Sequence, residues 1–415
     1  MGENNLDREY PVVQKALSVL ALLLVFGSIN YVDLMYWSAL IMLLGSLVAL
    51  FIIRPRQSFI AEEKLLIGVL LLYPLVSAIN ILVRGEWDWS AFQESSRFLL
   101  IVPVFLLIRA VGISSNIWRW GALFGAIGAG LWAIYQRDLL DITRAFGGTH
   151  NLIAAFGNIA LVMVFFTIIL FYKNMRLNVL WSALVVFACC LAAYASIASG
   201  NKGGWISLPF MFALLLTLDE TWSTKVKLSA TLVFCLSIAA VYLLSPYVQS
   251  RVDVILPAIY HYFVNGTEYD GSAGARLSLW HVSLLIFLDN PLIGIGLDNF
   301  NEVAKQYVDL RTNFSRSLHQ GPHNQFMLSL VRFGVAGPVL VFGIYAAFAY
   351  FCRQHMHIHR PLALCGLVLV VGFIDFGMVD FVWERNNFGV FFTFVMAIIG
   401  GQLAYLRRTG QNSLC

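Results

Sequence analysis

Charge is the scarcest property of this 415-residue chain: Asp, Glu, Lys and Arg make up 12% of it, well short of the roughly 25% of ordinary soluble domains. The deficit excludes a soluble globular fold, because the 59% of residues that are apolar or aromatic exceed what water-facing domains carry. Cysteine is sparse too. The six, Cys189, Cys190, Cys235, Cys352, Cys365 and Cys415, form no C-x-x-C pair, which argues against a disulfide framework and a zinc site. The chain has no G-x-x-x-x-G-K-[ST], no H-E-x-x-H, no G-x-S-x-G and no D-x-D beside a β-α pattern. Chemistry using ATP, zinc or a nucleotide sugar therefore lacks its usual cradle. A net charge of +4 without a basic stripe gives nucleic acid no footprint. Neither a cofactor nor a metal is expected.

What the chain has in abundance is long apolar runs. They fall at 12–30, 35–53, 64–83, 98–111, 117–135, 152–172, 178–198, 204–218, 226–245, 324–351, 361–383 and 388–406. A bilayer crossing takes about 20 helical residues, so the pattern predicts an all-α polytopic membrane protein of about twelve transmembrane helices. The polar start MGENNLDREY leads into an apolar run without an A-x-A-like cleavage site and reads as a retained first span. With the N-terminus inside, fifteen of the 27 Lys and Arg fall on the inner face and six on the short outer connections. The positive-inside rule then puts both termini in the cytoplasm. The organisation reads as 1–245, transmembrane helices 1–9; 246–323, a long outer loop; and 324–415, helices 10–12 with a cytoplasmic C-terminus. In the loop, ARLSLWHVSLLIFL places Leu277, Trp280, Leu284 and Leu288 on a 3–4 spacing, which predicts an interfacial amphipathic helix. NPLIGIG then breaks it with a Pro and two Gly.

Transporters advertise themselves by mid-span ionisable residues or corresponding broken helices in two halves. Here most charges sit at span ends, Asp375 and Asp380 fall near the outer end, and no half-to-half repeat is visible. The chemistry-bearing residues gather on the outer side instead. In GPHNQFMLSLVRFG, Pro322 suits a first helical turn, which would set His323 at the N-terminus of the tenth span. The helix dipole there favours neutral imidazole, a candidate general base for a hydroxyl; the plainer reading is a boundary histidine capping a turn. His319 lies four residues earlier in a looser context. In GSAGARLSLW, Arg276 opens a helical pattern after small residues and could clamp a phosphate bidentately, or simply snorkel to lipid headgroups. In ASGNKGGW, a tight turn allows close backbone approach to an anion, with Lys202 projecting into the outer interface or standing as a solvated hairpin tip. Arg137, Arg144 and His150 add cationic character to that side, whereas His281 reads as structural.

SGNKGGW, then GARLSLWHVSLLIFLDNPLIGIGLDNF, then PHNQFMLSLVRFG form an ordered set that resembles the bacterial O-antigen ligases, which share a domain with polysaccharide polymerases and protein-glycosylating ligases. The resemblance implies a GT-C-like inner-membrane glycosyltransferase with a large periplasmic loop between helices 9 and 10. It matches Arg276 to the family's loop arginine and His323 to its essential histidine. Lys202 falls where many relatives carry an arginine and supplies a point charge in place of a planar fork. The implied donor is O-antigen polysaccharide on undecaprenyl diphosphate and the implied acceptor a sugar hydroxyl of lipid A-core, both held among membrane lipids, in a metal-independent inverting transfer. A polymerase, a protein O-glycosylating ligase and a non-catalytic exporter of lipid-linked sugars remain the alternatives.

Overall fold

The computed structural model describes residues 10–54, 58–85, 89–265, 271–297, 299–307 and 321–410, and every regular element among them is helical. The first half comprises α1 (Pro11–Asn30), α2 (Val32–Ile53), α3 (Ala61–Arg84), α4 (Trp89–Val111), α5 (Ser115–Ala133), α6 (Ile153–Leu177) and α7 (Val179–Ser199). Then come α8 (Leu208–Leu215), α9 (Thr224–Leu244), α10 (Pro246–Val252), α11 (Ile255–Phe263), α12 (Ser272–Asp289) and α13 (Phe300–Ala304). The chain closes with α14 (Gln325–Phe333), α15 (Ala336–Gln354), α16 (Arg360–Val379) and α17 (Asn386–Thr409). Lipid satisfies no backbone polar groups, so helices are the form such apolar runs must take.

Ten helical segments among the described residues are long and apolar enough to cross a membrane. Two of the about twelve expected runs, 98–111 and 204–218, fall short of that measure, for identifiable reasons. The 98–111 run lies inside α4, whose 23 residues also carry Glu94, Arg97 and Arg109. The 204–218 run forms only the eight-residue α8, held between the two ends of α16. The Ser207 amide donates to Asp375 Oδ2 at 2.7 Å, and Arg360 Nη1 donates to the Thr217 carbonyl at 2.8 Å. The 324–351 run keeps one crossing, Ala336–Gln354 of α15, with Gly334 at φ 62° separating the short α14 from it.

The core is built around α17, buried along nearly its whole length against α4, α15 and α16. Small residues let helices approach closely: a Cβ at Gly121 of α5 would lie 2.6 Å from the Leu22 carbonyl oxygen of α1. By contrast α9 buries no residue, the pattern of a helix surrounded by lipid. The long loop folds into short helices with their own apolar cluster of Leu279, Val282, Ile286, Ile295, Phe300, Ala304 and Val331. This shifts the stripe expected on α12. Leu284 and Leu288 are exposed while Leu279, Val282 and Ile286 are buried, because the latter face of α12 docks on α14.

NPLIGIG is the strap that makes this docking. The Ile295 amide donates to the Val331 carbonyl at 2.9 Å and the Gly296 amide to that of Arg332 at 3.2 Å. Gly294, at φ 64°, presses so closely on the backbone of α14 that any Cβ would collide with the Val331 carbonyl.

Candidate functional site

The end of the bundle where α16 finishes gathers the sequence's candidate residues. The tenth span does not start at Pro322. α14 begins at Gln325, and Asn324 is its cap, with Oδ1 accepting from the amides of Phe326 and Met327 at 2.9 and 3.1 Å. A short carboxamide reaches those amides better than an imidazole does. His323 therefore lies just outside the helix, at φ 44°, a left-handed conformation uncommon for a residue with a Cβ. That turn stacks its ring on Phe381, centroids 5.1 Å apart, and sets Nδ1 3.6 Å from Asp380 Oδ1. The separation is longer than a hydrogen bond but short enough for charge to act.

Asp380 caps the C-terminal end of α16 and is 9% exposed. Burial alone would push its carboxyl up. The His323 side chain and the Arg385 guanidinium, 3.7 Å away, outweigh that and hold it below the usual carboxylate range. The segment carrying Asp380 is locked from beneath. Gln325 Oε1 accepts from the Trp383 amide at 2.9 Å, and Arg97 Nη1 donates to the Trp383 carbonyl at 2.6 Å. Arg332 Nη1 bonds Glu384 at 2.7 Å and Glu94 at 3.1 Å. Each buried charge in this network has a partner, without which its desolvation would be prohibitive.

Arg276 enters the same neighbourhood from α12. Burial lowers the proton affinity of its guanidinium, and the facing charge of Asp380 opposes the shift. Its buried Nε makes no hydrogen bond among the described residues. One helical turn on, Trp280 Nε1 donates to the Pro322 carbonyl at 3.0 Å, tying Arg276's own face of α12 to the residue before His323. Asp380 is thus the common neighbour of His323 and Arg276, two residues from well-separated parts of the chain.

Lys202 does not project freely outward. It opens a single 3₁₀ turn, Lys202–Gly204, and its Nζ folds back to the Arg251 carbonyl at 3.0 Å. The turn forms because Gly200, at φ 62°, caps α7 with the Tyr247 hydroxyl packed directly against its Cα. Burial, then the like charges of Arg276 and Arg251, hold the Lys202 ammonium below the usual lysine range. Burial and Arg251 act the same way on Arg144, whose Nε donates to the Ser199 carbonyl at 2.8 Å. The Tyr247 ring lies under Arg137 at 4.7 Å and Arg251 at 5.3 Å, and its buried hydroxyl makes no hydrogen bond among the described residues.

The result is a patch of four cations beside an acid–histidine pair, in which Arg251 and Arg276 each repel both Arg144 and Lys202. Such a patch suits a multiply charged anion. His150 lies apart from it, facing Asp33 at 3.3 Å; His281 packs edge-on to Tyr262; His319 lies outside the described residues. Asp380, Arg251 and Tyr247 went unassigned in the sequence. The only signal for Asp380 was an acid at the end of a span on the same side as His323.

The crowding of Lys202 has a measurable consequence. A lysine whose proton affinity is lowered on folding destabilises the fold while charged in both states, and that penalty fades as pH rises through the folded value. Lys202→Gln should therefore raise the thermal midpoint of purified protein at neutral pH, by about 1–2 °C. It should also at least halve the stabilisation that inorganic pyrophosphate gives the wild type. Equal pyrophosphate stabilisation in both proteins would remove Lys202 from the anion site.

These features define an all-helical, polytopic membrane protein with a cation-lined site at one end of its bundle. Residues 187–342, which hold Lys202, Arg276 and His323, match the family model described as O-antigen ligase. That segment of the chain is thus similar to the O-antigen ligase family. The chain is also 24% identical over 352 residues to a Haemophilus influenzae protein described as uncharacterized, a match covering 82% of this chain and 86% of that one.

Proposed function

We propose that the protein is an O-antigen ligase, transferring polysaccharide from undecaprenyl diphosphate to a sugar hydroxyl of lipid A-core at the periplasmic face of the inner membrane. The observation that carries this reading is the pairing of His323 with Asp380 next to the Arg276–Lys202–Arg251–Arg144 patch. It combines a base and a diphosphate clamp, the two elements that an inverting transfer from a lipid diphosphate requires.

In this scheme His323 takes the acceptor hydroxyl proton as the oxygen attacks the anomeric carbon. The bond from that carbon to the diphosphate oxygen breaks on the opposite face, with inversion. Arg276 and Lys202 stabilise the negative charge that develops on the departing undecaprenyl diphosphate. Asp380 orients the imidazole and offsets its charge once protonated. Side-chain cations neutralise the leaving group, so the scheme needs no divalent ion and no general acid, unlike glycoside hydrolysis by paired carboxylates. Anchoring donor and acceptor in one leaflet raises their effective concentration.

The deciding experiment is transfer by purified, reconstituted protein from undecaprenyl-diphosphate-linked polysaccharide to either lipid A-core or a second lipid-linked repeat. Covalent product on lipid A-core alone is expected. Product only on the second repeat would make the protein a polymerase, and no covalent product on either acceptor would end the glycosyltransferase reading.

A further inference from the structure

The opposite end of the bundle holds a cavity that plays no part in this chemistry. α16 joins the two places: Asp380 follows its last residue, and Arg360 is its first. At 1.5 Å per residue its 20 residues set them about 30 Å apart. The cavity, of about 670 Å³, lies between α8, α9, α15 and the start of α16. Leu214 and Leu367 contribute to its apolar wall, and Lys227, Arg353 and Arg360 to its rim.

The three cations differ in how they are satisfied. Arg360 is already engaged, ion-paired to Glu220 and bonded to the Thr217 carbonyl. The side chains of Lys227 and Arg353 have no hydrogen-bond or ion-pair partner among the described residues. Lys225 and Lys227 also occupy the first turn of α9, which contains no acidic residue, although the helix dipole there disfavours cations. Two cations without an acidic partner over an apolar cavity call for a ligand with an anionic head and an apolar body. The neighbouring α9 buries none of its residues, so the approach to the cavity runs through lipid. This end also carries Lys173, Arg176, Arg407 and Arg408 at helix C-termini, the excess that marks a cytoplasmic face.

We infer that this cavity is a binding site for an anionic phospholipid of the cytoplasmic leaflet, with its phosphate held between Lys227 and Arg353 and its acyl chains along Leu214 and Leu367. Basic pockets between spanning helices on that side suit anionic headgroups, and the volume matches that of ordinary ligand sites.

The test uses the full-length protein in vesicles of phosphatidylglycerol and phosphatidylethanolamine in equal parts, with retained lipid counted by native mass spectrometry. Wild type should retain phosphatidylglycerol preferentially. The Lys227→Gln, Arg353→Gln double variant should lose about thirtyfold of that preference, the attraction of two cations for an anionic headgroup. Leu214→Trp, which fills the apolar wall and keeps both charges, should lower retention of both lipids, and the single Arg353→Gln serves if the double variant fails to fold. Equal retention of the two lipids by wild type, or a preference unchanged in the variants, would overturn the assignment. Displacement of the lipid by millimolar inorganic phosphate would overturn it too, since a free anion would then suffice.

Discussion

His323→Ala should leave the protein folded in the membrane and lower transfer to lipid A-core by about 10²–10⁴-fold, the range for removing a positioned general base. The purified variant should stay folded but melt slightly below wild type, because Asp380 loses one of the groups that offset its burial while α14 itself is untouched. Asp380→Asn should lower transfer less, about tenfold to a hundredfold, as expected of a partner that orients a histidine. A second readout separates this role from a merely structural one. The Asp380 carboxyl is held below its ordinary range, so it stabilises the fold above the unfolded carboxylate value of about 4, and that contribution fades as pH falls through the folded value. Wild type should therefore lose thermal stability on acidification more steeply than Asp380→Asn. Full transfer by His323→Ala would remove the base from the scheme.

Arg276→Ala should lower transfer by about 10²–10³-fold, the scale for deleting one charge-stabilising donor, with undecaprenyl-linked polymer accumulating in cells. Arg276→Lys should recover part of the loss, because it restores the charge without the planar fork. Reconstituted turnover at saturating donor distinguishes the roles. A residue that stabilises the departing diphosphate lowers kcat, whereas one that merely shapes the donor cavity raises KM with kcat retained. Unchanged product from Arg276→Ala would leave Arg276 a packing residue of α12.

The contrast between His323 and Asp380 illustrates what the sequence discloses. His323, Arg276 and Lys202 stood out because each lies in a short polar punctuation between apolar runs, where a charged or basic side chain needs a reason. Asp380 lies at the end of an apolar run, and its value comes from meeting His323 where α14 and α16 come together. Arg251 looked like one loop charge among several until its carbonyl accepted from Lys202. Likewise Glu94, Arg332 and Glu384 belong to segments far apart in the chain, and the fold closes both carboxylates on the one guanidinium. The continuity of one apolar run was decided in the same way. Hydropathy registers the long run at 324–351 as one crossing, but a single Gly334 with positive φ divides it.

Composition by itself settled that this chain lives in a membrane and builds with helices, since so few charges leave no other solvent for so much apolar surface. The spacing of its polar punctuation marked the segments that would bear chemistry. Only the tertiary structure decided which of them meet. The glycine strap at 291–296, the Asn324 cap and the end of α16 bring Asp380 beside His323 and within electrostatic reach of Arg276. Such encounters depend on helix packing between residues distant in sequence, which hydrophobic periodicity does not encode.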